Sequence, residues 1–202
     1  QSAQMPTSVT EMLAAGFEPI DAIRTAWNNA AKGREELLQD LTILLEPGRS
    51  IIADTAICLT TVRNSKQRPT GSPPYEGGVA AASADGAVIS SQQPTTDHWL
   101  LTDAGFNILL SMETYKWYYH LISAERTSEP HTTPYKLAGP LCDGGDVYFD
   151  IEAQNRLPDH RLLPENVQPG EILALLNCGA YTLAQASQYN GRFLPEVILI
   201  SE

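Results

Sequence analysis

Cysteine is scarce in this 202-residue sequence, and the few present do not cluster. Cys58, Cys142 and Cys178 are odd in number and far apart, with no Cys-x-x-Cys pair, which excludes a disulfide scaffold. The histidines, His98, His120, His131 and His160, show no ligand spacing with each other or with the thiols, so no metal site is expected. Positive charge is also short. Lys and Arg number 13 against 24 Asp and Glu, a formal net charge of −11. A surface of that sign repels nucleic-acid backbones and anionic membranes, and neither is expected as a partner. No apolar run approaches the ~20 residues of a membrane span, and Gln1-Ser2-Ala3-Gln4 does not open a signal peptide. A reducing, cytoplasmic setting is therefore the default. Starting on Gln rather than Met, the chain reads as one processed, trimmed or cut from a longer polypeptide.

What is present is an ordinary globular composition, 43% hydrophobic and 18% charged, long enough for one large domain or two small ones. Ser8 to Glu11 has capping-box spacing. From Ile20 the apolar residues Ile23, Trp27, Ala30, Leu37, Leu38 and Leu41 keep helical spacing, with a break expected at Gly33. A short strand, Leu41–Leu45, then ends in Glu46-Pro47-Gly48-Arg49. Helix, strand and polar turn in that order have the shape of the last step of an α/β barrel. From Ser50 onward the sequence predicts a mainly β domain, a sandwich or a barrel. Its expected strands are 50–62, Trp99–Asp103, Ile172–Ala180 and Val197–Ile200. A proline- and glycine-rich stretch, 63–97, reads as a loop or loose hairpin with weak strands at 77–82 and 87–91. The segment Ile108–Ile122, dense in aromatics, fits an irregular helix or a strand.

Gly139-Pro140-Leu141-Cys142-Asp143-Gly144-Gly145-Asp146 stands out chemically. It puts a thiol beside a carboxyl in a segment too rich in glycine for a helix interior, between expected strands at Tyr135–Ala138 and Val147–Ile151. A turn there can aim the Cys142 Sγ and the Asp143 carboxylate at one small target.

Four segments in order, Glu46–Ser50, Thr102–Asn107, Gly139–Asp146, and Gly179-Ala180-Tyr181 followed by Tyr189-Asn190-Gly191, together resemble the pyridoxal-phosphate decarboxylases of the ornithine/diaminopimelate/arginine group, whose fold is shared with alanine racemase. The resemblance implies a fold-type III protein, with 1–49 as the end of a (β/α)8 barrel and 50–202 as its β domain. It implies pyridoxal phosphate as cofactor, with Glu46 at the pyridine nitrogen, Gly48 and Arg49 at the phosphate, and Tyr181 packed on the cofactor and touching its phosphate. It implies that Cys142 and Asp143 reach across a homodimer, the thiol returning a proton to Cα and the acid meeting the far end of the substrate. Asp103 and Tyr115 are implied as further substrate contacts, and the two aspartates together favour an amino acid with a cationic side chain. Asn190 is expected to be structural.

The sequence departs from that family twice. Where diaminopimelate decarboxylases carry an arginine-proline pair for a distal carboxylate, this chain has Leu110-Ser111-Met112-Glu113-Thr114-Tyr115. None of Lys32, Lys66, Lys116 and Lys136 lies in the context of the cofactor-bearing lysine, so the barrel that carries it is expected in a missing N-terminal portion. A non-catalytic relative serving as a dimerisation or regulatory module is the rival reading. An alanine-racemase-like protein is a third, against which the Cys142–Asp143 pair argues.

Overall fold

The computed structural model describes residues 19–34, 36, 44, 46–69, 96–152, 154 and 156–200. The capping box at 8–11, most of the strand expected at 41–45 and the weak strands at 77–82 and 87–91 lie outside the described residues. The helical spacing from Ile20 forms helix α1, Pro19–Ala31, and Gly33 follows it at φ +73°. A left-handed residue just past a helix end is a common stop, and glycine adopts it without a Cβ clash.

The β-rich run expected from Ser50 starts later than the sequence suggests. Arg49–Ile52 is a single helical turn, α2, followed by a 3₁₀ turn at Ala53–Thr55. The Thr55 hydroxyl donates to the Ile52 carbonyl at 2.8 Å and closes this turn locally. Strand β1 then runs Cys58–Pro69, so the first residues of the expected loop at 63–97 are strand. Its partner β2 begins at Thr96 and ends at Thr102.

Six strands form one nearly closed sheet in the order β3-β6-β1-β2-β4-β5, with β3 (Leu121–Ser123) and β5 (Arg161–Leu163), its two ends, lying against each other. The long β1 is shared. Cys58–Thr61 pair antiparallel with β6 (Ile172–Leu175), and Val62–Pro69 pair antiparallel with β2. A register shift between Val62 and Asn64 marks the hand-over, where a bulge bends the strand from one partner to the next. Strand β4 (Thr133–Ala138) lies parallel to β2. A parallel pair needs a crossover. Helix α3 (Leu110–Thr114), the aromatic segment after it and β3 supply one.

The interior is filled by Val62, Leu100, Leu109, Met112, Tyr119 and Leu137, all fully buried. Tyr148 is buried with them, and its hydroxyl donates to the Ala104 carbonyl at 2.9 Å and lies 3.1 Å from the Thr102 hydroxyl. Burial raises the Tyr148 pKa well above the usual phenol value, so it stays a neutral donor.

Three expected strands differ. Val147–Ile151 is only a bridge from Val147 to Ala138, because the Asp150 carboxylate accepts the Glu152 and Arg156 N–H groups and curls the chain. The strand at Ile172 stops at Leu175, and Asn177 follows in the left-handed region at φ +61°. Val197–Ile200 pairs with no described strand and is exposed.

Candidate active site

Two clusters gather most of the residues singled out in the sequence, with α3 between them. In the first, Gly179 follows β6 and donates its N–H to the Ala53 carbonyl at 2.8 Å. A Cβ at Gly179 would collide with the Ile52 carbonyl oxygen, so only glycine lets this segment press against α2. That contact carries Tyr181 over the start of α2, with its own backbone at φ +55°. The Tyr181 hydroxyl lies 2.6 Å from where a Gly48 Cβ would stand.

Arg49 lies in the same corner. Its guanidinium stacks on the Trp117 ring at 3.8 Å, with the Tyr181 ring 5.0 Å away. Among the described residues its polar contacts are both long, 3.5 Å to the Ala180 carbonyl and 3.5 Å to the Ser111 hydroxyl. Ser111 in turn donates to the Tyr181 carbonyl at 3.1 Å. A stacked arginine with loosely committed donors, a bare glycine backbone and a tyrosine hydroxyl suit a phosphate dianion. The residues present therefore fit the phosphate end of the cofactor. Glu46 is exposed on the stretch that leads into this corner. Ser111 and Trp117, which complete the corner, were not singled out in the sequence, and spacing along the chain gives no sign of them.

The second cluster is the thiol turn. Cys142 is exposed, whereas Cys178 is buried and Cys58 half-buried. Burial pushes the Cys58 thiol up to about 11 and the Cys178 thiol up to about 12, which makes both inert. The Asp143 carboxylate accepts the Gly145 N–H at 2.8 Å and the Tyr189 hydroxyl at 3.2 Å. Glu113 of α3 packs beside Gly145, its Oε1 3.7 Å from the position of a Cβ there.

Beneath the turn lies Asp146, 1% exposed. One carboxylate oxygen accepts the Phe106 N–H at 2.8 Å and the other the Leu141 N–H at 2.7 Å. The space it fills is left by two missing side chains. A Cβ on Gly105 would lie 2.6 Å from its oxygens, and a Cβ on Gly139 would collide with them. Burial, aided by the charge of Asp143, raises its pKa to about 6 despite those donors.

Asp103, expected as a substrate contact, is held by three partners. Its carboxylate accepts the Thr60 hydroxyl at 2.7 Å and the Thr61 N–H at 2.8 Å, and pairs with the Arg63 guanidinium at 2.8 Å. Burial works to raise its pKa, but these hydrogen bonds and the Arg63 charge hold it below the ordinary carboxylate value. It lines a cavity of about 630 Å³ with Arg63, Gly139, Pro140 and Arg192, at the start of the thiol turn. Tyr115 is 73% exposed at the end of α3. Among the described residues no group of His, Cys, Asp and Glu could hold a metal ion. No described helix is long and apolar enough to cross a membrane.

Residues 53–179 match the model of the C-terminal sheet domain of pyridoxal-dependent decarboxylases. The chain belongs to that family. Cys142, Asp143 and Asp103 fall inside the matched part, and Glu46, Gly48, Arg49 and Tyr181 outside it. The diaminopimelate decarboxylase of Escherichia coli K12 is 34% identical over 181 residues, covering 85% of this chain and 36% of that protein. That of Methanothermobacter thermautotrophicus is 32% identical over 161 residues, 78% of this chain and 28% of that one. A crystal structure of diaminopimelate decarboxylase superposes with a TM-score of 0.56 at 28% identity, covering 95% of this chain and 39% of its own. The fold is also that of the lysine/ornithine decarboxylase from Vibrio vulnificus, TM-score 0.54 at 23% identity over 83% of this chain and 37% of that one. The chain spans about a third of the length of the curated relatives it matches.

Proposed function

We propose that this chain is the C-terminal part of a pyridoxal-phosphate-dependent amino-acid decarboxylase acting on a substrate with a cationic side chain. The observation that carries this reading is the corner where Arg49, Gly48 and Tyr181 meet, in a family of pyridoxal-dependent enzymes. Bound pyridoxal phosphate supplies an electron sink for the pair left at Cα when a carboxylate departs. Arg49 and the Gly48 backbone would hold its phosphate, Tyr181 would pack on it, and Glu46 would pair with its pyridine nitrogen. Cys142 holds a proton on Sγ and gives it to Cα after the Cα–CO₂ bond has broken, and solvent refills the exposed thiolate. Asp143 meets the substrate's distal ammonium group, with Asp103 and Tyr115 nearby in the pocket. The exposure of Cys142 supports its use in trans, in a homodimer whose site lies between subunits. The N-terminal barrel supplies the lysine. The free thiols fit a reducing, cytoplasmic setting.

The test is CO₂ release by the intact protein from diaminopimelate, lysine and ornithine, with and without added pyridoxal phosphate. Cofactor-dependent release from at least one supports the proposal, and release from none overturns it. Arg49→Ala is expected to weaken cofactor binding by about tenfold or more, from the ~1.5–3 kcal/mol of a charge-assisted contact. A titration at wild-type affinity would remove Arg49 from the site.

A further inference from the structure

The segment Tyr189–Arg192 lies against the thiol turn and grips it at three points. The Asn190 Oδ1 accepts the Cys142 N–H at 2.7 Å. The Tyr189 hydroxyl donates to the Asp143 carboxylate at 3.2 Å. The Arg192 guanidinium donates to the Pro140 carbonyl at 2.6 Å. Tyr189, Asn190 and Arg192 thus engage Asp143, Cys142 and Pro140 in reverse order. The Tyr189 ring also packs on Phe106, with centroids 5.5 Å apart, and the Phe106 N–H is one of the two donors to Asp146.

The backbone of the gripping segment is unusual. Asn190 has φ +55° and Gly191 φ +70°, two consecutive left-handed residues. Asparagine tolerates that region better than most side chains, and here its amide oxygen is spent on another loop and not on its own backbone. The kink lets Tyr189 and Arg192 reach the turn on either side of Asn190.

We propose that Tyr189 and Asn190 are positioning residues that hold Cys142 and Asp143 in their working geometry. This rests on the reading that Cys142 delivers the proton to Cα. Asn190 fixes the peptide that carries the thiol. Asp146 fixes the preceding peptide from the other side, through the Leu141 N–H. Tyr189 sets the rotation of the Asp143 carboxylate, so that one oxygen is held and the other is oriented by the Gly145 N–H. A misplacement of a reacting group by about 1 Å can cost about a hundredfold in rate.

The test uses three substitutions in the intact enzyme. Asn190→Gly keeps the left-handed backbone and removes the acceptor, whereas Asn190→Asp keeps the acceptor. With Asn190→Gly, kcat is expected to fall by about ten- to a hundredfold with KM nearly unchanged. Alkylation of Cys142 by iodoacetamide, followed by mass spectrometry of its peptide across pH, is expected to become severalfold faster as the turn loosens. Asn190→Asp is expected to bring both kcat and the alkylation rate most of the way back to wild type. Tyr189→Phe removes only the hydroxyl and is expected to raise KM severalfold while sparing kcat. Wild-type kcat together with a wild-type alkylation profile in Asn190→Gly overturns the clamp. If Cys142→Ala itself turns over like the wild type, proton delivery by the thiol falls. The alkylation profile then decides the clamp alone.

Discussion

At the scale of single residues, the buried carboxyl of Asp146 makes stability depend on pH. A carboxyl raised from its ordinary 3.8 to about 6 in the folded state binds protons there that the unfolded chain has already released. Its contribution to stability is fully present below pH ~4 and is lost as pH rises through about 6, an effect of about 3 kcal/mol at most. Asn at this position cannot ionise, so Asp146→Asn should flatten that part of the profile. It should also leave one of the Phe106 and Leu141 N–H groups facing an amide NH₂, at a cost of ~1–3 kcal/mol. Thermal midpoints of the intact protein at pH 4.5 and 7 check both effects; equal slopes in variant and wild type would refute the assignment. The glycines around it make a sharper contrast. Gly105→Ala puts a methyl 2.6 Å from the Asp146 oxygens and 2.9 Å from Pro140 Cδ, whereas a Cβ at Gly144 meets nothing within 4 Å. Gly105→Ala is expected to lower the midpoint and disturb the turn, and Gly144→Ala to leave both unchanged, by thermal unfolding and Cys142 alkylation.

At the scale of elements, the sequence showed what depends on local pattern and missed what depends on partners. Helix α1, the strand at Trp99, the strand at Ile172 and the glycine turn around Cys142 could all be read from periodicity and turn residues. The three-residue β5 could not, because Arg161-Leu162-Leu163 has neither alternation nor flanking signals long enough to count, and pairing with β4 makes it a strand. Likewise Ser50–Thr55 is apolar enough for a strand but is curled by the Thr55 hydroxyl, and Asp150 curls the segment after Val147. The site divided in the same way. Cys142 and Asp143 stood out by residue type and Arg49 and Tyr181 through the family resemblance, whereas Ser111 and Trp117 are joined to Arg49 only by the fold. Strand β5 carries its own prediction. Arg161 is buried at the seam with its guanidinium over the Tyr118 ring at 4.4 Å and one donation to the Tyr148 carbonyl at 2.9 Å, while Nε and Nη1 lack a described partner. Burial lowers its pKa to about 10. A buried cation with so little compensation contributes little to stability, so Arg161→Met, similar in length and able to keep the ring contact, should be neutral or stabilising by up to ~2 kcal/mol. A midpoint several degrees lower would mean that the seam depends on the charge.

For the whole molecule, the informative feature is apolar surface that no described element covers. Phe193 is 88% exposed, Leu199 91% and Ile200 93%, and Ile51, Ile57 and Leu59 are exposed on α2, before β1 and along it. Scattered apolar residues need no explanation, but a run of them is surface that the rest of the enzyme covers if the chain is, as proposed, its C-terminal part. Covering one such side chain completely is worth about 1.5–3 kcal/mol. The chain produced alone is therefore expected to self-associate, and Phe193→Ser combined with Leu199→Ser and Ile200→Ser should shift it toward monomer. In the intact protein the same triple substitution should instead lower the thermal midpoint, because there it removes contacts and does not relieve exposure. Size-exclusion chromatography with light scattering, across a range of concentrations, reads the first effect and thermal unfolding the second. A concentration-independent monomer from the unsubstituted chain, with no loss of stability in the substituted intact protein, would show that these side chains meet water in both settings and that the rest of the protein docks elsewhere.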